Sequence, residues 1–167
     1  MRLALAAFTR RGCSLALRLA GGLGRAGESA QAFAPEKLAG AAGLLPMVGG
    51  LGVWTGDQFE RVDGLIFVGA CGIAVRAVAP HLRGKERDPA VVVVDERGRF
   101  AISLLSGHIG GANDLCRRVA ALCGAQPVVT TATDLAGLFS VDAWAVDQGL
   151  AIMDLKAAKA VSAALLA

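Results

Sequence analysis

The chain has 167 residues, a length that favours one domain, or one domain with a fragment of a second. Hydrophobic residues make up 54% of the sequence and charged residues 19%, which excludes an intrinsically disordered chain. The net charge of +3 is too small to indicate a nucleic-acid partner and fits an anionic small molecule equally well.

The cysteine pattern indicates in which cellular compartment the protein is expected. Four cysteines occur, at positions 13, 71, 116 and 123, and no two of them form a C-x-x-C pair. The pattern is therefore neither a zinc signature nor the disulfide framework of a small secreted protein. It predicts free thiols, buried or partly buried, in a reducing cytosol.

The first part of the chain predicts one strand and one helix. Residues 3–8 form an apolar run that predicts a buried strand, and residues 14–21 predict a helix. Five arginines and no acid in the first 27 residues superficially resemble a transit peptide. Because Arg10 and Arg11 interrupt the apolar run early, no secretory segment forms, and a cytoplasmic location is expected.

Residues 38–56 form an uncharged stretch of 19 residues, which is long enough to consider a membrane span. The stretch contains six glycines and Pro46, which would make a poor isolated spanning helix. We therefore predict a surface loop with a short helical turn over residues 54–59, and no membrane association.

From residue 62 onwards, strands and helices alternate. Residues 65–68 predict a buried parallel strand, and residues 73–79 predict a helix that stops at Pro80. Residues 81–88 are basic and polar, and they predict a solvated loop.

The next elements form a hairpin and the helices beyond it. Residues 90–94 and 100–105 predict two strands joined by the turn at 95–98. A further strand is predicted over residues 127–129. Three helices are predicted over residues 114–122, 141–148 and 154–166, the last with Asp154 as its N-cap.

This alternation predicts an α/β fold in three layers, with a mostly parallel sheet and helices on both of its faces. Ligands of such sheets bind beyond the carboxyl ends of the strands. Three loops of unusual composition follow predicted strands, at residues 69–76, 106–114 and 130–134. We expect them to converge on one site.

The loop at residues 69–76 places Gly69 and Gly72 between a strand and a helix. Glycine lets backbone amides approach an anion closely, although a tight strand–helix connection needs the same residues. The loop is neither G-x-G-x-x-G nor a P-loop, so a nucleotide is not favoured. Arg76 is the best placed basic residue for a ligand carboxylate, with a solvated position as the alternative. No neighbouring sequence feature would activate the Cys71 thiol, so nothing marks it as a nucleophile.

The histidine loop, residues 106–113, places a hydroxyl, an imidazole and an amide among small residues. Histidine is the side chain best suited to proton transfer in enzymes, which makes His108 a candidate acid or base, although a lone loop histidine is more often structural or merely exposed. Ser106 and Asn113 are candidates either for contacts with a ligand or for capping the following helix.

Residues 130–134, T-T-A-T-D, offer three hydroxyls and a carboxylate directly after a strand. One interpretation is a turn closed by a side-chain cap. The other is hydrogen bonding to a polar substrate, with Asp134 as a base or an orienting group.

Four motifs together carry a specific resemblance to a known family. They are G-A-C-G-I-A-V-R at 69–76, D-P-A-V at 88–91, S-L-L-S-G-H-I-G-G-A-N at 103–113 and T-T-A-T-D at 130–134. Residues 63–134 closely resemble the CbiG family of cobalamin biosynthesis. The resemblance implies that residues 1–134 form an N-terminal-type α/β domain of that family. Residues 135–167 would begin its middle region, packed on or continuing the same domain.

The function implied by the resemblance is that of a cobalt-precorrin-5A hydrolase. This enzyme opens the ring-A lactone of cobalt-precorrin-5A, with loss of acetaldehyde, to give cobalt-precorrin-5B. The resemblance implies a cobalt-corrinoid substrate and no protein cofactor or metal site, because cobalt arrives inside the substrate. The implied protein partners are a C-terminal domain of the family's type or other enzymes of the pathway.

On this hypothesis the three loops supply the reacting groups. The implied catalytic residues are His108, Asp134 and Ser106. The implied substrate-binding residues are Gly69, Gly72, Arg76, Gly107, Gly110, Gly111, Asn113, Thr130, Thr131 and Thr133. Backbone N–H groups near residues 69–72 or 110–111 would hold the oxyanion.

Two other functional classes compete with this hypothesis. The chain can be a corrinoid-binding or channelling module that needs a separate C-terminal domain or partner for catalysis; such a module would bind the corrinoid without turning it over. A nucleotide-sensing α/β domain is disfavoured because no phosphate-binding fingerprint is present.

Overall fold

The structure is a computed structural model that describes residues 1–84 and 86–131, with parts of the segment beyond. The described positions of that segment are 141, 144–145, 148, 150, 152–154, 157, 160–161 and 164. Thr133 and Asp134 lie outside the described residues.

Residues 1–84 and 86–131 form seven strands, five helices and one short 3-10 turn at Ala79–His81. The strands are β1 Arg2–Ala7, β2 Ser29–Ala34, β3 Leu45–Pro46, β4 Gly64–Val68, β5 Ala90–Val94, β6 Phe100–Leu105 and β7 Gln126–Val128. The helices are α1 Arg10–Arg25, α2 Glu36–Ala42, α3 Gly50–Arg61, α4 Cys71–Val78 and α5 Ala112–Cys123.

All seven strands lie in one sheet with the order β3-β2-β1-β4-β5-β6-β7. Every neighbouring pair is parallel except β5 and β6, which form the predicted antiparallel hairpin. In that hairpin Val94 lies opposite Ala101 and Val91 lies opposite Leu105, with an irregularity between Val91 and Val92. The mostly parallel sheet is confirmed.

Alternate residues of the central strands face two separate hydrophobic cores, because successive side chains of a strand point to opposite faces. On β1, Leu3 and Leu5 pack on the face that also holds α1, α2 and α5, whereas Ala4 packs with α3 and α4. Burying a leucine side chain stabilises the fold by about 1.5–3 kcal/mol. Because helices pack on both faces of the sheet, the predicted three-layer arrangement is confirmed.

Helix α1 shows how the sequence fixes one of these layers. The Thr9 side chain accepts a hydrogen bond from the Gly12 N–H and caps the helix at its first turn. The buried residues of α1 recur at helical spacing and include Leu15 and Leu19. A Cβ at Gly22 would come within 2.8 Å of Leu122 Cδ2, so glycine permits the close packing of α1 on α5.

The prediction of a surface loop over residues 38–56 is wrong. This stretch contains most of α2, all of β3 and the first half of α3. Two glycines in the left-handed region mark the helix boundaries, Gly43 at the end of α2 and Gly49 before α3. Helix α3 forms despite its other glycines because it buries Trp54 and Phe59. The Trp54 ring lies 5.3 Å from that of Phe33, between ring centroids.

The described residues beyond 140 agree with the predicted helices. Val141, Trp144 and Ala145 are helical. The Asp154 carboxylate accepts a hydrogen bond of 3.0 Å from the Ala157 N–H, which confirms Asp154 as a cap. The predicted domain boundary at residue 134 stays a prediction.

Within the described part of the chain, no helix combines the length and the apolar character that a membrane crossing requires.

Candidate functional site

The antiparallel strand β6 decides where the candidate loops lie. The carboxyl ends of β1, β4 and β5 define one edge of the sheet, which we call the carboxyl edge. Since β6 runs the other way, its last residue, Leu105, lies beside Val91 at the opposite edge, which we call the amino edge. Strand β7 is parallel to β6, so it also ends at the amino edge.

The three loops therefore do not converge, and that expectation is wrong. The histidine loop and Thr130–Thr131 lie together at the amino edge, whereas Gly69, Gly72 and Arg76 lie at the carboxyl edge. The five residues of β4 separate the two edges by about 16 Å at 3.3 Å per residue. Two of the three loops can thus share a site, and the third belongs elsewhere.

The histidine loop folds back on itself over the start of α5. The Ala112 N–H donates to the Ser106 carbonyl and the Asn113 N–H donates to the Gly107 carbonyl, each at 3.0 Å. Helix α5 has Gly111 at its N-cap, with φ of 79° and no side-chain hydrogen bond. The alternative that Ser106 or Asn113 caps this helix is therefore wrong, because backbone carbonyls accept those N–H groups.

Two glycines of the histidine loop are required by close approach. A Cβ at Gly110 would lie 2.4 Å from Ser106 Cβ and 2.9 Å from the Ser106 carbonyl oxygen. A Cβ at Gly107 would lie 2.8 Å from Asn113 Oδ1. These glycines let the loop close on itself, which is a structural reason for them beside any contact with a ligand.

Ser106 combines two unusual features. Its φ of 59° lies in the left-handed region, where a residue other than glycine is uncommon. Its Oγ is buried and has no hydrogen-bond partner among the described residues. A strained residue with an unpaired polar atom is typical of a functional position, since both features cost stability.

Asn113 joins the histidine loop to the segment after β7. Its side chain is 4% exposed, its Oδ1 accepts a hydrogen bond of 2.7 Å from Ser103 Oγ, and its Nδ2 donates to Thr131 Oγ1 at 3.0 Å. Asn113 thus holds β6, α5 and Thr131 in fixed relation. Because both its Oδ1 and its Nδ2 form hydrogen bonds, Asn113 acts by positioning the neighbouring residues of the site.

Two residues at this edge were missed in the sequence. Ser103 was treated as an ordinary residue of β6, although a hydroxyl in an otherwise apolar strand was a usable signal. Asp88 is 6% exposed, and its carboxylate accepts hydrogen bonds from the Arg83 and Gly84 N–H groups. The Asp88 carbonyl oxygen would lie 3.3 Å from a Cβ at Gly110, so the loop before β5 packs against the histidine loop.

His108 lies partly buried in the middle of the histidine loop, and its carbonyl accepts the Gly111 N–H at 2.9 Å. The Gly111 amide is therefore occupied in this conformation and is not free to hold an oxyanion. The Gly69 amide is likewise occupied, because it donates to the Val94 carbonyl at 2.8 Å. Oxyanion donors at these two positions would require the loops to rearrange.

At the carboxyl edge, residues 69–76 form a tight connection between β4 and α4. A Cβ at Gly69 would come within 3.1 Å of the Phe8 ring. The exposed Arg76 turns back along its own helix, where Nη1 donates to the Gly72 carbonyl at 3.1 Å. The interpretation of this loop as a strand–helix connection accounts for these contacts.

The cysteines are free thiols, two of them buried and two partly buried, as the sequence predicts. Burial raises the pKa of both Cys13 and Cys116. The Cys116 Sγ donates to the Ala101 carbonyl at 3.1 Å, so this thiol fixes α5 against β6. The part of the chain that the structure describes contains no cluster of three His, Cys, Asp or Glu residues suited to a metal ion.

Comparisons with known proteins place this arrangement in a family. Residues 53–134, which contain all three candidate loops, match the family model described as "Cobalamin synthesis G N-terminal". Over 156 residues the chain is 45% identical to the cobalt-precorrin-5A hydrolase of Salmonella typhimurium, covering 93% of this chain and 43% of that protein. It is 54% identical over 84 residues to the cobalt-precorrin-5A hydrolase of Priestia megaterium, covering 50% of this chain and 22% of that protein.

A solved structure shares the fold. A cobalamin biosynthesis protein G homologue from Sulfolobus solfataricus superimposes with a TM-score of 0.62 at 22% identity, covering 99% of this chain and 46% of that one. The chain spans less than half the length of the curated relatives it matches. On the family model and the identities of these relatives, residues 53–134 form an N-terminal-type domain of the CbiG family of cobalamin biosynthesis.

Proposed function

We propose that the chain acts in cobalamin biosynthesis as a cobalt-precorrin-5A hydrolase, with its reacting groups at the amino edge of the sheet. The observation that carries the proposal is the histidine loop, which brings Ser106 and His108 to the edge where Asn113 holds Thr131. The names of the relatives support the substrate, and the matched family model covers the same loops.

In the first step, water opens the lactone. His108 takes a proton from the attacking water as its oxygen bonds to the lactone carbonyl carbon. The carbon–oxygen bond of the ring then breaks, and the departing alkoxide receives the proton back from His108. A carboxylic acid and a free hydroxyl result, so atoms and charge balance. Ser106 Oγ, the buried hydroxyl of this loop that has no hydrogen-bond partner, is the proposed donor to the oxyanion that forms on the lactone carbonyl.

In the second step, the hydroxyl freed by ring opening loses its proton to His108 or Asp134. The carbon–carbon bond to the macrocycle then breaks, and the two-carbon fragment leaves as acetaldehyde. The electron pair of the broken bond stays on the macrocycle, which takes up a proton. Asp134 and Thr133 are assigned here from the sequence motif.

Thr130, Thr131 and the glycines of the histidine loop form the proposed substrate contacts at this edge. The substrate brings its own cobalt, so the proposal requires no protein-bound metal or cofactor. A C-terminal domain of the family's type, or another enzyme of the pathway, is the proposed protein partner.

The test is anaerobic incubation of the chain with cobalt-precorrin-5A, scoring released acetaldehyde and the accompanying mass loss of the corrinoid. His108→Gln should lower turnover by about 10²–10⁴-fold, the usual contribution of a general acid–base group. His81→Gln is the matched control, since the other histidine of the chain packs against Phe59.

Turnover by His108→Gln at the rate of the parent chain would overturn the role of His108. Binding of the corrinoid without release of acetaldehyde would overturn catalysis by this chain alone and support a binding module completed by another domain.

A further inference from the structure

A basic cavity lies at the carboxyl edge of the sheet, whereas the histidine loop lies at the amino edge. It is open to solvent, and its volume of about 310 Å³ lies at the lower limit for small-molecule sites. Four residues of α1 and two of the β5–β6 turn line it: Arg11, Ser14, Leu15, Arg18, Glu96 and Arg97. We call it the arginine cavity.

Two rigid elements build the arginine cavity. Its α1 residues are spaced i, i+3, i+4 and i+7, so they share one face of the helix. Leu15 is 2% exposed and anchors this face in the core. The turn packs on the same leucine, because a Cβ at Gly98 would lie 3.5 Å from Leu15 Cδ2. The positive φ of Gly98, 67°, is what lets the turn fold down onto α1.

Asp95 holds this turn in place. Its carboxylate accepts hydrogen bonds from the N–H groups of Arg97, Arg99 and Phe100 at 2.9, 2.8 and 2.7 Å. These bonds fix the main chain on either side of Arg97. The main chain from which the Arg97 side chain extends is therefore held in one conformation.

The charges of the arginine cavity are unbalanced. Three guanidinium groups face one carboxylate, that of Glu96, which also accepts a hydrogen bond of 2.7 Å from Thr9 Oγ1. Among the described residues, no carboxylate pairs with Arg11, Arg18 or Arg97. Four arginines elsewhere in the chain pair with a carboxylate, namely Arg2, Arg83, Arg117 and Arg118. Like charges held within a Debye length repel one another, so an anion in the cavity would relieve this repulsion.

We propose that the arginine cavity binds a small organic anion that carries at least two carboxylates. The planar guanidinium group matches a carboxylate with two parallel hydrogen bonds, which makes arginine the residue suited to this ligand. Arg11 and Arg18 are seven residues apart on α1, a rise of about 10.5 Å, so a ligand with two carboxylates can offer a separate carboxylate to each arginine. The site is separate from the proposed lactone chemistry and does not depend on it.

The test uses citrate as the probe and the 167-residue chain, titrated by calorimetry at constant ionic strength. Citrate should bind at one saturable site, and acetate should bind at least about tenfold more weakly. Arg18→Gln on α1 and Arg97→Gln on the turn should each weaken citrate binding about tenfold or more, because each loses charge-assisted hydrogen bonds.

Arg61→Gln is the matched control, since it removes one positive charge from the exposed end of α3 on the other face of the sheet. Its citrate affinity should equal that of the parent chain. The absence of saturable citrate binding, or an equal loss of affinity in Arg61→Gln and Arg18→Gln, would overturn the proposal.

Discussion

The buried amide of Asn113 offers a sharp test of how the site is held together. Asn113→Ala removes the acceptor of Ser103 Oγ and the donor to Thr131 Oγ1 while leaving the helix backbone intact. A hydrogen bond inside a protein contributes about 0.5–1.5 kcal/mol net, so the loss of two predicts about 1–3 kcal/mol of lost unfolding free energy. For a domain of this size, that corresponds to a fall in Tm of about 2–12 °C.

Urea denaturation followed by circular dichroism measures this difference. Asp114→Ala is the matched control, because Asp114 lies next to Asn113 in the same turn of α5, is exposed, and forms a surface ion pair with Arg117. It should cost less than about 1 kcal/mol.

A double-mutant cycle with Ser103→Ala separates the bond from the packing. The coupling energy between positions 103 and 113 should be at least about 0.5 kcal/mol, as for residues that share a hydrogen bond. A coupling energy near zero, or an Asn113→Ala effect no larger than that of Asp114→Ala, would refute the positioning role.

Two further predictions concern the loop glycines and the β5–β6 turn. Gly110→Ala should destabilise the chain by about 1–3 kcal/mol, because its Cβ would overlap Ser106; Gly52→Ala in α3, where the space is open, should instead stabilise it by about 0.5–1 kcal/mol. Equal effects in thermal unfolding would contradict the geometry. Burial alone would raise the pKa of Asp95, but hydrogen bonds from three main-chain N–H groups outweigh it and hold the pKa below its usual range. The stability that Asp95 contributes is thus complete above its unfolded pKa of about 3.9 and is lost as pH falls through the folded value. The stability gap between the parent chain and Asp95→Asn should therefore shrink between pH 5 and pH 2 in urea titrations; a constant gap would show that the charge is irrelevant.

The strongest local patterns predicted the central sheet correctly. The valine run at β5 and the apolar run at β4 have the length and composition of buried parallel strands, and both are confirmed. The hairpin of β5 and β6 followed from the short turn between two such runs. These elements can be predicted from the sequence because each apolar run is continuous along the chain.

The segment from β2 to α3 was largely missed for a physical reason. Alanine and glycine make up 12 of its 33 residues, and their small side chains give little periodicity. Strand β3 has two residues, and it exists because Phe33 and Ala34 of β2 offer it a parallel partner. Helix α3 is stabilised by contacts of Trp54 with Phe33 and Phe67, which are distant in the sequence.

What the sequence by itself determined is the fold class, the central strands and the identity of the loops that carry the family motifs. Only the tertiary structure decided which loops share an edge, because the direction of β6 depends on its pairing with β5 and not on its own residues. The same reversal separates Arg76 from His108. The grouping of Arg97 with Arg11 and Arg18 likewise depends on the packing of a turn against a helix nearly eighty residues earlier in the chain.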